Sequence, residues 1–186
     1  MVIVENKKGG LILLKRCIMI FPKFENIEII DKIRTLYDPL ANHVRPHITL
    51  VFPFDSDIET NELKEHISSV LSKFTPFEII LNGITPNNNF GRYLFLNIQK
   101  GNDEIIELHK SIYTGILLNH YPEWLKGKAF LPHMTVGSFD NEEEFEIAIN
   151  ETKNIVDSFK TIVNEISVEI IDENEDSIIE LNIPFK

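Results

Sequence analysis

The sequence predicts an α+β fold: a bilobal single domain over residues 1–186, with two pseudo-symmetric antiparallel or mixed sheets, helices on their outer faces and a central cleft. Three observations carry that expectation. Apolar runs of strand length alternate with apolar stripes of helical spacing from end to end, with no Gly, Ser or Pro tract that reads as a linker. Their order is strand, helix, strand, helix, strand, and then the same again with one strand added, the mark of a duplicated unit. The third element of each half carries a matching motif, Pro46-His47-Ile48-Thr49-Leu50 and Pro132-His133-Met134-Thr135-Val136. A twofold relation between the halves sets these strands, near 47–54 and 131–138, opposite each other across the cleft.

Leu11 to Phe21 is almost wholly apolar and reads as a buried strand ended by Pro22. Ile29, Ile30, Ile33, Leu36, Tyr37 and Leu40 follow helical spacing, and Pro39 marks where that helix closes. After the first motif strand, Ser56 and Glu59 form a capping-box pattern ahead of the stripe Leu63, Ile67, Val70, Leu71 and Phe74. Phe77 to Leu81 reads as a strand, Thr85 to Gly91 as an Asn-rich turn, and Arg92 to Ile98 as a further strand. Asn102, Asp103 and Glu104 suit a helix start, and Ile105, Leu108, Ile112 and Ile116 give that helix its buried face. A loop from Tyr121 to Leu131 precedes the second motif strand. Asp140 with Glu143 caps a fourth helix carrying Phe145, Ala148, Ile149, Val156 and Phe159, and strands near Ile166 to Ile171 and Ile178 to Ile183 follow.

A chain of 186 residues, 43% hydrophobic and 25% charged, can bury one substantial core. Lys15 and Arg16 interrupt the longest apolar run, which is also too short to cross a bilayer, so neither a signal-peptide core nor a membrane partner is expected. Cys17 is the single cysteine, which leaves no disulfide within this sequence and fits a reducing, cytoplasmic setting. The formal charge of -11 argues against contact along duplex nucleic acid. A small phosphorylated nucleotide or an RNA terminus, held in a locally basic cleft, suits that charge better, and a monomer is the expected state.

The strand period of two puts His47 with Thr49, and His133 with Thr135, on one face and their apolar neighbours on the other. Two imidazoles facing one phosphorus suit in-line displacement, one taking a proton from the attacking oxygen and one giving a proton to the leaving oxygen. Threonine hydroxyls on the same faces would donate to non-bridging oxygens. Neither histidine has a second His or a carboxylate on its strand face, and Thr is a poor divalent ligand, so no metal is expected there; nor is any cofactor.

These paired motifs resemble those of the 2H phosphoesterase superfamily, and the length and element order are similar to its bacterial 2'-5' RNA ligase-like branch. The resemblance implies that His47 and His133 are catalytic and that Thr49 and Thr135 bind phosphate. It also implies a metal-independent hydrolase of the cyclic phosphodiesterase type. Its substrates would be 2',3'-cyclic phosphates, cyclic ADP-ribose phosphates or 2'-5' linked oligonucleotides. Two other readings stay open on sequence: a phosphate- or nucleotide-binding module without turnover, and an RNA 2'-5' ligase.

A bound phosphate calls for a cation beyond the histidines. Arg45, two residues before His47, and Arg92, opening a strand beside the second motif, are the candidates, with Lys126 and Lys128 in the loop before that motif. Trp124 and Phe139 are the candidate stacking platforms for a base, whereas Phe52, Tyr93 and Phe95 read as core. His43, His66, His109 and His120 lack a partnering Thr and read as surface or packing residues.

Overall fold

The computed structural model describes residues 13–186. Strand β1 (Leu14–Ile20) is followed by α1 (Ile27–Tyr37), the first motif strand β2 (Ile48–Ser56), α2 (Thr60–Leu71), β3 (Phe77–Asn87), β4 (Arg92–Lys100) and α3 (Asn102–Ile112). Two 3-10 turns, Gly115–His120 and Glu123–Leu125, lead to the second motif strand β5 (His133–Phe139). Helix α4 (Glu142–Thr152) and strands β6 (Ser158–Val163), β7 (Glu165–Ile171) and β8 (Ser177–Pro184) follow. Leu11 and Ile12 of the predicted first strand lie outside the described residues. No described helix is long and apolar enough to cross a membrane.

The strands form two antiparallel four-stranded sheets, ordered β2-β1-β7-β8 and β5-β4-β3-β6. Helices α2 and α3 pack on the first sheet, and α1 and α4 on the second. Each helix turns a stripe inward: Ile30 and Ile33 from α1, Leu63, Ile67 and Leu71 from α2, Ile105, Leu108 and Ile112 from α3, Phe145 and Ala148 from α4. These side chains and the helix-facing residues of both sheets make one continuous apolar core, which supports the two motif strands from behind.

The two lobes are interleaved rather than consecutive, which corrects the simple duplication that the element order suggests. Strand β3 leaves the first half to pair with β4, and β7 and β8 return from the chain's end to complete the first sheet. The reason is local: β3 and β4 are joined by a short turn, and a hairpin is the natural connection between antiparallel neighbours. The helices are exchanged too, since α1 joins two strands of the first sheet yet packs on β5, while α3 joins β4 to β5 and packs on β2.

Three local expectations are also revised. Phe159 is fully buried in β6, not in α4, which ends at Thr152 and leaves Val156 exposed. Phe159 and Val163, the buried residues of β6, lie four apart, a spacing that both a helix and a strand satisfy. Ser56 ends β2, where its hydroxyl accepts from buried Arg16, so α2 starts without the predicted capping box. The cap of α4 is Asn141, one residue beyond Asp140, with its side chain accepting from the Glu144 N–H.

Candidate active site

Both motif strands sit at the edge of their sheets, and β2 and β5 contact one another where the sheets meet. Ile48 and Leu50, like Met134 and Val136, are fully buried toward the helices, whereas His47, Thr49, His133 and Thr135 are half-buried on the other face. Both strands carry an extra residue immediately after the threonine. Met19 pairs with Thr49 but Ile18 with Val51, and Phe95 pairs with Thr135 but Leu94 with Gly137, so Leu50 and Val136 are the bulged residues. Among the described residues, no protein acceptor engages the hydroxyl of Thr49 or Thr135, which leaves each available to a ligand.

The histidines are held identically. His47 Nδ1–H donates to the Arg45 carbonyl at 2.8 Å, and His133 Nδ1–H donates to the Leu131 carbonyl at 2.7 Å. A carbonyl can only accept, so the proton of each neutral ring is on Nδ1 and each Nε2 is left with a free lone pair. Burial pushes His47 down to about 4, with repulsion from Arg34 and from His133 adding to it, while the Arg45 carbonyl and Asp38 oppose. His133 is also lowered, chiefly by burial, against the pull of the Leu131 carbonyl. That the charge of His133 is felt at His47 puts the two imidazoles in one electrostatic neighbourhood.

What flanks each ring differs. Beside His47, Phe21 meets the imidazole edge-on at 6.1 Å, and the Arg45 guanidinium lies over Phe21 at 4.3 Å. Beside His133, Phe95 stacks on the imidazole at 3.7 Å, and Asn97 is its cross-strand neighbour. Asn97 is itself fixed, accepting from the Thr85 hydroxyl at 2.9 Å and donating to the Gly83 carbonyl at 2.8 Å. From His133 opens a cleft of about 690 Å³, walled by Phe52, Phe95, Trp124 and Phe130, with Phe90 and Lys128 also among its lining residues. Trp124 stands 56% exposed, its ring against Phe52 at 4.8 Å.

Of the predicted residues, His133 and Trp124 line this cleft, Thr135 shares the face of His133, and Arg45, His47 and Thr49 lie at or just before the start of β2, which meets β5, while two others go elsewhere. Arg92 pairs with Glu142 at 2.7 Å and with the Asp140 carbonyl, on the face of β4 that it shares with buried Leu94 and Leu96 and that α4 covers. Phe139 packs on Tyr37 and Phe145, beside a smaller hollow of about 370 Å³ bordered by α1 and α4. The bulge at Val136 explains the second: counting by twos puts Phe139 on the face of His133, and one extra residue moves it to the other. The matching bulge at Leu50 turns Phe52 toward the cleft, where the same counting misses it. Lys126 is engaged by Glu123, and Lys128 lines the cleft.

The other histidines serve the frame. His43 pairs with Asp176, and His66 Nε2 bonds the Ile112 carbonyl. Buried His109 donates from Nδ1 to the carbonyl of bulged Leu50 at 2.7 Å and stacks on Phe130 at 3.8 Å. Among the described residues, no group of three or more His, Cys, Asp or Glu is arranged to hold a metal ion.

Interleaved four-stranded sheets with a histidine and a threonine on each facing edge define a two-lobed α+β protein built around one cleft. A family model described as the 2'-5' RNA ligase superfamily matches residues 22–175, and the chain belongs to that family, in agreement with the 2H phosphoesterase resemblance of its motifs. A Bacillus licheniformis relative, provisionally named a phosphoesterase, is 25% identical over 141 residues, which span 75% of this chain and 80% of the relative. One from Geobacillus kaustophilus, named in the same way, is 26% identical over 125 residues, 67% of this chain and 69% of the relative. Among solved structures, E. coli LigT complexed with 3'-AMP aligns over 94% of this chain and 99% of that one, with a TM-score of 0.62 at 13% identity. The same protein complexed with NADP+ aligns over the same shares with a TM-score of 0.53 at 11% identity. These likenesses establish the fold. Membership of the superfamily rests on the family match.

Proposed function

We propose that this protein hydrolyses cyclic or 2'-5' phosphodiesters of small nucleotides or RNA ends, by general acid and base catalysis from His47 and His133 and without a metal. The observation that carries the reading is the matched pair of half-buried imidazoles, each with Nδ1 tied to a backbone carbonyl and Nε2 free, each followed by an unengaged threonine hydroxyl. LigT is known in complex with 3'-AMP and with NADP+, so a nucleotide-sized ligand suits this fold.

The asymmetry of the walls supports an order of events. The nucleoside enters the aromatic cleft beside His133, its base against Trp124 and Phe52, and its phosphate falls between the two rings with Thr49, Thr135 and Arg45 around the non-bridging oxygens. In a 2',3'-cyclic phosphate the leaving oxygen belongs to the ribose, so it lies on the side of His133, and water attacks phosphorus from the side of His47. His47 Nε2 takes a proton from that water as the new P–O bond forms. The bond to the ribose oxygen breaks, and His133 Nε2 gives that oxygen its proton. One water is consumed and a phosphate monoester results.

Phosphorus NMR of a 2',3'-cyclic nucleotide incubated with the protein tests the reading. Conversion of the cyclic signal to a monoester signal supports it, while bound ligand with an unchanged spectrum over hours would make the protein a binding module for that compound. Trp124→Ala should raise KM by about tenfold with little change in kcat, as loss of one base-stacking surface costs about 1–3 kcal/mol. Exhaustive dialysis against a chelator should leave turnover unchanged, and a loss restored by a divalent cation would contradict the metal-free reading.

A further inference from the structure

Arg34 is one of the most completely buried charged residues in the described chain, 2% exposed, and it does not face the cleft. Its guanidinium is spent wholly on the segment between α1 and β2. Nε bonds Asp38 at 2.7 Å, Nη1 donates to the Val44 carbonyl at 2.8 Å and Nη2 to the Leu40 carbonyl at 3.3 Å. Asp38 completes the brace by accepting from the Leu40 N–H at 3.0 Å. The same segment is pinned from its other side by His43, whose ring pairs with Asp176 and whose carbonyl accepts from the Ser177 N–H at 2.9 Å. Next after Val44 comes Arg45, whose carbonyl holds His47 Nδ1.

The helix that carries Arg34 belongs by packing to the other lobe. Helix α1 lies on β5, and Gly137 makes the approach close: a Cβ there would stand 3.1 Å from Tyr37 Cβ. One face of α1 therefore rests on the strand of His133, while Arg34 grips the backbone that delivers His47.

We propose that Arg34, with Asp38, is the positioning element of the proposed catalytic pair, a buried clamp that sets where His47 stands relative to His133. The inference rests on the functional reading above. A lysine cannot replace the guanidinium, because a single ammonium on a flexible stem does not span a carboxylate and two separate carbonyls. The pair also tunes the ring, since Arg34 repels a proton on His47 and Asp38 attracts one. The other charged group felt at that ring is His133 from β5, while the Arg45 guanidinium lies over Phe21 and Arg45 acts on the ring through its backbone carbonyl.

The test uses Arg34→Met, Arg34→Lys and Asp38→Asn in the full chain, each assayed well below its own unfolding temperature, with the imidazole titrations followed by NMR without ligand. Arg34→Met should raise the His47 pKa and Asp38→Asn should lower it. Arg34→Lys, which keeps the charge, should leave that pKa near the parent value and still lower kcat/KM by about tenfold to a hundredfold, the penalty of a displaced catalytic group. If Arg34→Met does not fold, the other two variants carry the test. Folded variants with parental kcat/KM would overturn the clamp, and His47 titrations unmoved in both Arg34→Met and Asp38→Asn would overturn its effect on the charge of the ring. Parental turnover in His47→Ala would instead remove the functional reading, while the titrations would still report on the brace.

Discussion

Replacement of His47 or of His133 by Ala is expected to lower kcat/KM by about 10³-fold with the fold retained, the usual cost of losing a general acid or base. Both rings are half-buried at edge strands, and their backbone neighbours Ile48 and Met134 keep the core contacts, so the loss should fall on chemistry and not on folding. The pH profiles separate the roles. A base must be neutral and an acid protonated, so kcat/KM rises through the pKa of the first and falls through that of the second. His47 lies at about 4 and His133 below the ordinary histidine value of 6.5, which places the highest kcat/KM in mildly acidic solution. His47→Ala should lose the acidic limb and His133→Ala the alkaline limb. Limbs lost in the opposite order would exchange the two roles while leaving the pair itself in place.

The second large effect concerns stability. Arg16 bonds both oxygens of Glu180 at 2.8 Å, with Thr60 donating to one of them at 2.6 Å, under α2 and with little exposure of either charge. Burial alone would raise the Glu180 carboxyl, but the bonds from Arg16 and Thr60 outweigh it and hold the group below its ordinary range. Arg16→Met leaves that carboxylate buried and unpaired, and urea denaturation at pH 7 should show a loss of about 3–5 kcal/mol. A loss under about 1 kcal/mol would mean that the pair is solvated in solution.

Acid acts on the same balance. Because the folded pKa of Glu180 is depressed, its contribution is complete above the ordinary carboxylate value of 4.5 and is lost as pH falls through the folded one. His47, His109 and His133 are depressed as well, so unfolded chains gain protons first, and stability begins to fall below about pH 6.5.

The strand face shared by the candidate site residues was the most legible part of the molecule. His47, Thr49, His133 and Thr135 each sit two apart within a motif, and a strand's period fixes their face before any bulge intervenes. Helices α2 and α3 were legible for a similar reason, as their buried stripes follow one period, whereas of the stripe expected for α1 Ile30 and Ile33 are buried but Leu36 and Leu40 are exposed. Features that depend on pairing between distant segments were hidden. Nothing near Phe77 says that β3 joins β4 and not β1, and the bulges at Leu50 and Val136 come from the registers with β1 and β4. Those bulges bring Phe52 to the cleft and take Phe139 away from it. Phe95 could have been found as the cross-strand partner of Thr135, given the antiparallel pairing of β4 with β5. Arg34 carries no local signal at all, because an arginine in the last turn of a helix ordinarily points to solvent.

A crystal structure with a nucleoside–vanadate adduct, which mimics the five-coordinate phosphorus of the displacement, tests the central claim most directly. Nε2 of His47 and Nε2 of His133 are expected within hydrogen-bond distance of the two opposite apical oxygens, with Thr49 and Thr135 on equatorial ones and the base in the cleft beside Trp124. An adduct touched by only one of the two imidazoles, or by both from the same side of vanadium, would contradict it.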